Sequence, residues 1–288
     1  VCPMLNEWDK ALHDKIHTSM LMEDPKNLLK NRRLQILNFL GSNYKIHGVV
    51  ADIGCGNGYF GIGLAKKFPN LLRIDCIEAS KAAVEQVIPR NINFYNMNKI
   101  VKAVHSTFDD LGSEKYDVIF SMGALHHSSN LRKTLNSVKK ALKPGGLFIG
   151  QEPAMPDNTT HENYMFKYDI VEEKFGLKIR NGDRFDRFFR ECEYKYMLII
   201  NGFDISLWSD FQKIIDPLKF KSIKNYLIAN GFKKTFTKVL NSIFKTKTRI
   251  NKSNFKQWEN DMNKACKNVA SKFFIAKKSK CKKTFHDS

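Results

Sequence analysis

The segment from Val49 to Gly58 reads Val-Val-Ala-Asp-Ile-Gly-Cys-Gly-Asn-Gly, and it carries the strongest chemical signal in the chain. An apolar run leads into closely spaced glycines, the pattern of a strand delivering the chain into a tight turn that opens a helix. Glycine permits positive φ there and lets a ligand approach the backbone. The helix N-terminus beyond presents N–H groups and positive potential to a carboxylate or phosphate. Two ligand readings compete. Gly56-Asn-Gly58-Tyr-Phe-Gly61 matches G-x-G-x-x-G, and Glu78 stands at the end of the next apolar run, where dinucleotide folds hold a ribose. Asp52, just ahead of the turn, would repel a pyrophosphate and suits a ligand with an ammonium group. A third reading is a strand–helix turn that binds nothing.

The elements around this turn keep a rhythm. Two helical stretches open the chain, from Leu5 and from Pro25 to Leu40, the second ended by Gly41-Ser42-Asn43. Strands are expected at Gly48–Asp52, Leu71–Glu78, Tyr116–Ser121 and Leu147–Gln151, and Ile92–Asn96 and Ile100–His105 are further candidate segments between them. Helices are expected at Gly61–Phe68, at Lys81–Ile88 (ending at Pro89) and at Asn130–Leu142. That alternation implies βαβ units and a parallel sheet covered on both faces. Residues 153–186 lack a strong period and read as an inserted cap. Next come a helix over Phe188–Asn201 and a strand over Gly202–Trp208. Residues 209–262 are basic with an amphipathic helical flavour, and Ser271–Ala276 is a last strand before a Lys-rich tail.

Asp-Ile-Gly-Cys-Gly-Asn-Gly resembles the first motif of class I S-adenosylmethionine-dependent methyltransferases. Later segments resemble that family in order: Lys115-Tyr-Asp-Val-Ile-Phe-Ser-Met-Gly-Ala-Leu-His-His127, closest to the Leu-His-His form of small-molecule enzymes; Leu142-Lys-Pro-Gly-Gly-Leu-Phe-Ile149; Glu193-Tyr194 with Asn201-Gly-Phe203; and Lys272-Phe-Phe-Ile-Ala-Lys277. The resemblance implies a Rossmann-like, doubly wound α/β fold with a seven-stranded, mostly parallel sheet, a reversed last strand and helical insertions. It implies S-adenosylmethionine as cofactor and S-adenosylhomocysteine as product. Gly54 and Gly56 would pack near the methionine part, and Glu78 would accept from the ribose hydroxyls. Asp52, Cys55, Ala79, Ser121 and Met122 complete the implied cofactor contacts. Where the family often carries an Asp for adenine, this chain has Ser106, then Thr107 and Phe108; Asp109 is the alternative if the register shifts.

Methyl transfer from a sulfonium needs an aligned acceptor. A hydroxyl acceptor also needs a base, whereas an amine must start deprotonated. The acceptor is expected beyond the fourth and fifth strands, across from the glycine loop. The side chains there are His126, His127 and Glu152, with His161, Glu162 and Tyr164 in the cap. Imidazole is the natural base near neutral pH; each His is otherwise a loop-packing residue, and Glu152 is otherwise an anchor. No i,i+4 His pair or nearby Cys completes a metal site with them, so no metal is expected. Arg187, in an Arg cluster with Arg180, Arg184 and Arg190, is a candidate clamp for a substrate phosphate or carboxylate, or else part of a surface ladder. Trp8 and His13 are candidates for a lid over the cofactor.

Residues 1–44 thus read as a helical lid and 45–152 as the cofactor-binding core. Residues 153–186 read as the substrate cap. Residues 187–288 complete the sheet around a basic insertion at 209–262. Net charge is +19, but unevenly placed: residues 211–288 hold 20 basic and 4 acidic residues, leaving the first 210 nearly neutral. With the amphipathic pattern of residues 214–244 this makes an anionic membrane surface a candidate partner through residues 211–283, the alternatives being a helical cap over the sheet with a solvated Lys face and a Lys-rich composition without a role. Nucleic acid is the weaker reading, because the fourth-strand motif is Ser-Met-Gly-Ala rather than the Asn/Asp-Pro-Pro-Tyr of base-methylating enzymes. A small-molecule, sugar or lipid-linked acceptor is favoured. Six scattered cysteines without C-x-x-C, no signal pattern and no long apolar run fit a reducing cytoplasm.

Overall fold

The computed structural model describes residues 17–128, 130–157, 189–216 and 270–279. Among the described residues, seven strands form one sheet in the order β3-β2-β1-β4-β5-β7-β6. They are β1 (Gly48–Ile53), β2 (Leu71–Glu78), β3 (Val101–His105), β4 (Tyr116–Met122), β5 (Leu142–Ala154), β6 (Phe203–Asp210) and β7 (Ala270–Lys278). The first five run parallel. β7 lies antiparallel between β5 and β6 and is the reversed strand. The order reverses at β1 and β4, which opens a crevice at their carboxyl ends, where open α/β sheets take ligands.

Alternation along the strands gives the sheet two cores. Val50, Ile74, Phe120, Ile149 and Phe273 face one way, against α1 (Ile36–Asn43) and α2 (Tyr59–Lys67). Ala51, Ile77, Ile119, Phe148 and Phe274 face the other way, against α4 (Leu131–Ala141) and α5 (Glu191–Ile200). Asn130 starts α4 by accepting from Lys133 N at 3.0 Å, and Leu131, Leu135 and Val138 then bury one stripe. Burying such a side chain is worth about 1.5–3 kcal/mol. Gly61 in α2 has no room for a Cβ because Cys76 Sγ occupies that place, so α2 lies tight on β2.

Several elements differ from expectation. Residues 25–40 are not one helix. Pro25–Lys30 and Arg32–Gln35 are short 3₁₀ turns, and only Ile36–Asn43 is α-helical, running past Gly41. Asn31 breaks the run: it is extended, and its side chain accepts from Arg33 N at 2.9 Å, the local bond with which Asn competes against helix. Pro89 does not end a helix. A π-turn at Ala83–Val87 leads into α3 (Ile88–Phe94) with Pro89 in its first turn, where its missing N–H is not needed. β5 begins at Leu142 rather than Leu147, taking up Lys143-Pro-Gly-Gly146 as an irregularity between the Tyr116↔Leu142 and Val118↔Leu147 pairs. It also runs past Glu152 to Ala154, and Met155 bridges to Arg190. Beyond β6, the short helix α6 (Phe211–Ile215) is the described part of the basic insertion.

Candidate active site

The glycine loop is tied down from below. Gly54 N and Cys55 N donate to Ile77 O at 2.9 and 3.2 Å, holding the turn to the end of β2. Gly54 has φ +64, and a Cβ there would lie 2.5 Å from the Cβ of Ala124 and 3.2 Å from the Phe108 ring. Gly56 also has positive φ, +56, yet a Cβ there would meet nothing within 4 Å. The first glycine is demanded by its neighbours, the second by its backbone alone, with open space beside it. Glu78 borders that space. Its Oε2 accepts from Gly56 N at 2.9 Å, and its Oε1 from Ala79 N and Ser80 N at 2.9 and 3.2 Å. Three N–H groups fix the carboxylate and leave Oε2 a lone pair for a further donor.

Asp52 is 1% exposed and turned inward, where its Oδ2 accepts from Gly61 N at 3.1 Å. Burial pushes its carboxyl up to about 8; the Gly61 bond opposes this and the charge of Glu78 adds to it. In this arrangement Asp52 ties β1 to α2. Cys55 is buried as well, and burial together with the hydrogen bond to Cys76 drives its thiol upward.

On the other side of Glu78, Ser106 N donates to Glu78 O at 3.1 Å, while Ser106 Oγ donates to Asp110 O at 2.7 Å and closes its own turn. Thr107 Oγ1 accepts from Asp109 N at 3.4 Å. Asp109 faces α4, with Lys133 Nζ at 2.8 Å and Thr134 Oγ1 at 3.4 Å, away from the loop. Phe108 stands over Gly54. Sequence reasoning misses His105, which pairs with Glu78 across β3 and β2 and contacts Ala79 O through Nε2 at 3.0 Å. A carbonyl only accepts, so Nε2 carries the proton.

At the end of β4, Ser121 and Met122 are buried. Arg33 reaches this point from the 3₁₀ turn, donating from Nη1 to Met122 O at 3.0 Å and lying against Gly123. Sequence reasoning misses it too. Tyr59 lies beside it; burial raises the phenol and the Arg33 charge partly offsets that. Arg33 thus brings a guanidinium to the carboxyl end of β4, a few residues from the glycine loop in space.

Glu152, 1% exposed, organises the loop after β4. Its Oε1 accepts from Ala124 N and Leu125 N at 2.9 Å and from Ser121 Oγ at 3.1 Å. Its Oε2 lies 2.8 Å from His126 Nδ1. Glu152 is therefore both an anchor for backbone and the group that orients an imidazole. With a carboxyl oxygen as acceptor, Nδ1 carries the proton, which makes Nε2 the acceptor nitrogen of the ring. His127 packs on His126, ring centroids 4.1 Å apart, and its N donates to Ala124 O. His161, Tyr164 and Arg187 lie outside the described residues, as do Trp8 and His13. Among the described residues no group of three His, Cys, Asp or Glu could hold a metal ion.

A family model described as a methyltransferase domain matches residues 51–148, the stretch from the glycine loop to β5. Residues 51–148 thus carry a methyltransferase domain of the class I S-adenosylmethionine-dependent type. Ubiquinone biosynthesis O-methyltransferase of Rickettsia akari is 24% identical over 171 residues, covering 59% of this chain and 63% of that protein. tRNA U34 carboxymethyltransferase of Desulfotalea psychrophila is 30% identical over 195 residues, covering 62% of this chain and 54% of that protein. The chain thus spans less than two thirds of these relatives. Geranyl diphosphate C-methyltransferase from Streptomyces coelicolor A3(2), solved with Mg2+, geranyl diphosphate and S-adenosyl-L-homocysteine, superimposes with a TM-score of 0.56. At 12% identity over 84% of this chain and 77% of that one, it shares the fold. The family's cofactor suits the residues present: Gly56 lacks the Cβ that would fill the open space, and Glu78 is pre-aimed beside it.

Proposed function

We propose that this protein transfers a methyl group from S-adenosylmethionine to an oxygen or nitrogen of a small-molecule, sugar or lipid-linked acceptor. The observation carrying this reading is the Glu152–His126 pair at the carboxyl ends of β4 and β5, across the crevice from the Gly56–Glu78 cradle. Bound in that cradle, the cofactor supplies an electrophilic methyl on a sulfonium. Glu78 and the N–H groups around it hold the ribose end, with Ser106, Thr107 and Phe108 bordering the adenine. Arg33 offers a cation to the amino-acid carboxylate. Glu152 keeps Nδ1 of His126 protonated, so Nε2 takes the proton that a hydroxyl acceptor loses on methylation. His161, Tyr164 and Arg187 remain candidates for the acceptor side.

Calorimetry with S-adenosylmethionine and S-adenosylhomocysteine tests the first half: absence of binding by both overturns it. Incubation with methyl-labelled cofactor and a fractionated metabolite pool tests the second, with label expected in the low-molecular-weight or lipid fraction. A second reading has two observations behind it, the 30% identity to a tRNA carboxymethyltransferase and the basic residues 211–288. In that reading label enters RNA, and RNA affinity falls steeply with salt.

A further inference from the structure

α5 is apolar on two sides. Tyr194 and Leu198 enter the core at 1% exposure. Cys192, Tyr196, Ile199 and Ile200 recur at helical spacing on the outside; Tyr196 is 63%, Ile199 59% and Ile200 37% exposed. A surface helix ordinarily confines its apolar residues to the stripe that meets the core. A second stripe in water, two turns long, is a feature the cofactor site does not use.

Cations frame the stripe. α4 runs alongside, and Lys139 at its end reaches over Gly202, the residue that closes α5; Arg132 and Lys140 are exposed on the same helix. Lys195 of α5 lies 5.1 Å over the Trp208 ring on the other flank. Ser279 N donates to Gly202 O at 3.0 Å, so β7 ends at the carboxyl end of α5, where Lys278 Nζ is held by Leu142 O at 2.6 Å. Of the nearby acids, Glu191 is matched by Lys272 at 2.6 Å and Glu193 by Arg190 at 3.0 Å, while Asp157 accepts from Cys192 N at 2.6 Å at the start of the stripe.

We propose that this face of α4 and α5 docks on an anionic lipid surface. α5 lies in the plane of the interface, with Tyr196, Ile199 and Ile200 among the acyl chains and the lysines at the headgroup phosphates. Size and charge select this occupant. A stable protein interface buries about 800 Å² per partner, far more than four side chains on ten residues supply. A second copy meeting this face would set lysines against lysines. RNA would engage the lysines but gains little from two isoleucines. A bilayer needs only a few inserted apolar side chains plus about 1 kcal/mol for each Lys or Arg near its surface.

The test is co-sedimentation of the full chain with vesicles of phosphatidylcholine alone and with phosphatidylglycerol added. Binding is expected to the anionic vesicles and to weaken with salt. The double variant Tyr196→Ser, Ile199→Ser, at exposed positions, is expected to bind about tenfold more weakly, with unchanged circular dichroism and unchanged S-adenosylhomocysteine affinity. Lys139→Gln with Lys140→Gln is expected to flatten the salt dependence. Failure of the wild type to bind anionic vesicles overturns the proposal, as does equal binding by the double variant. A concentration-dependent dimer that the double variant abolishes assigns the stripe to self-association instead, and RNA binding that the variant loses assigns it to RNA. Cofactor binding is read separately, so loss of either result leaves the other standing.

Discussion

Two buried glutamates end strands on either side of the crevice, and each does a different job with the same kind of bond. Glu78, at the end of β2, accepts only from backbone N–H groups of the glycine loop and of its own turn. Glu152, near the end of β5, accepts from two backbone N–H groups and a hydroxyl through one oxygen, and holds His126 through the other. Both are fixed frames. Glu78 frames a cavity, while Glu152 frames an imidazole. The first arrangement suits binding and the second suits proton transfer. Mutations should therefore separate them by kinetic constant and not merely by size.

The largest effect is expected at His126. His126→Ala should lower kcat by about 10²–10⁴-fold, the usual contribution of a positioned base, while cofactor affinity by calorimetry stays within a factor of two or so. Glu152→Gln should resemble it in kcat: the amide keeps an acceptor for Ala124 and Leu125 N but presents N–H to His126 Nδ1, favouring the wrong tautomer. Glu78→Ala is expected to do the converse. Losing charged hydrogen bonds worth about 1.5–3 kcal/mol each should weaken cofactor affinity by roughly 10²-fold, with kcat at saturating cofactor nearly unchanged. Equal loss of kcat in all three would break the division of labour between the glutamates.

The two glutamates are not equally legible in the sequence. Glu78 can be placed because β2 is a simple apolar run and the glycine loop sits a fixed distance ahead of it; Leu71–Glu78 is the strand expected, residue for residue. For Glu152 the sequence leaves anchor and base both open, because its partners lie 26 to 31 positions earlier and no local pattern connects them. Arg33 escapes sequence reasoning for the same reason: its bond to Met122 O spans 89 positions. Pro89 misleads because proline both ends helices and starts them, and only the preceding π-turn decides between the two. The local signals, glycine conformation and strand alternation, are strong. Side chains that act across the crevice belong to tertiary packing and leave no periodicity.

A third carboxyl, Asp52, sharpens the contrast through pH. Its folded value is about 8 against an ordinary 3.8, so between these limits the folded protein keeps a proton that the unfolded chain has lost. Its contribution to stability is therefore complete at low pH and declines as pH rises toward 8, by at most about 1.4 kcal/mol per pH unit. Asp52→Asn keeps an acceptor for Gly61 N–H and cannot ionise. Thermal or urea unfolding between pH 5 and 8 should show a flatter dependence for the variant. An unchanged slope would mean that Asp52 is ionised in the fold and acts there as a charge.

The smallest expected change in stability is at Gly56, and it is the most telling about the cavity. Gly54→Ala must push its new Cβ into Ala124, so it should cost both folding and binding. Gly56→Ala meets no protein atom within 4 Å and costs only the left-handed backbone, about 1–2 kcal/mol. Its methyl group projects into the space assigned to the cofactor. Calorimetry should show a loss of S-adenosylhomocysteine affinity larger than the loss of unfolding free energy, the reverse of the order at Gly54. Should Gly56→Ala bind as the wild type does, the open space beside Gly56 is not where the cofactor lies, and Glu78 frames only its own loop.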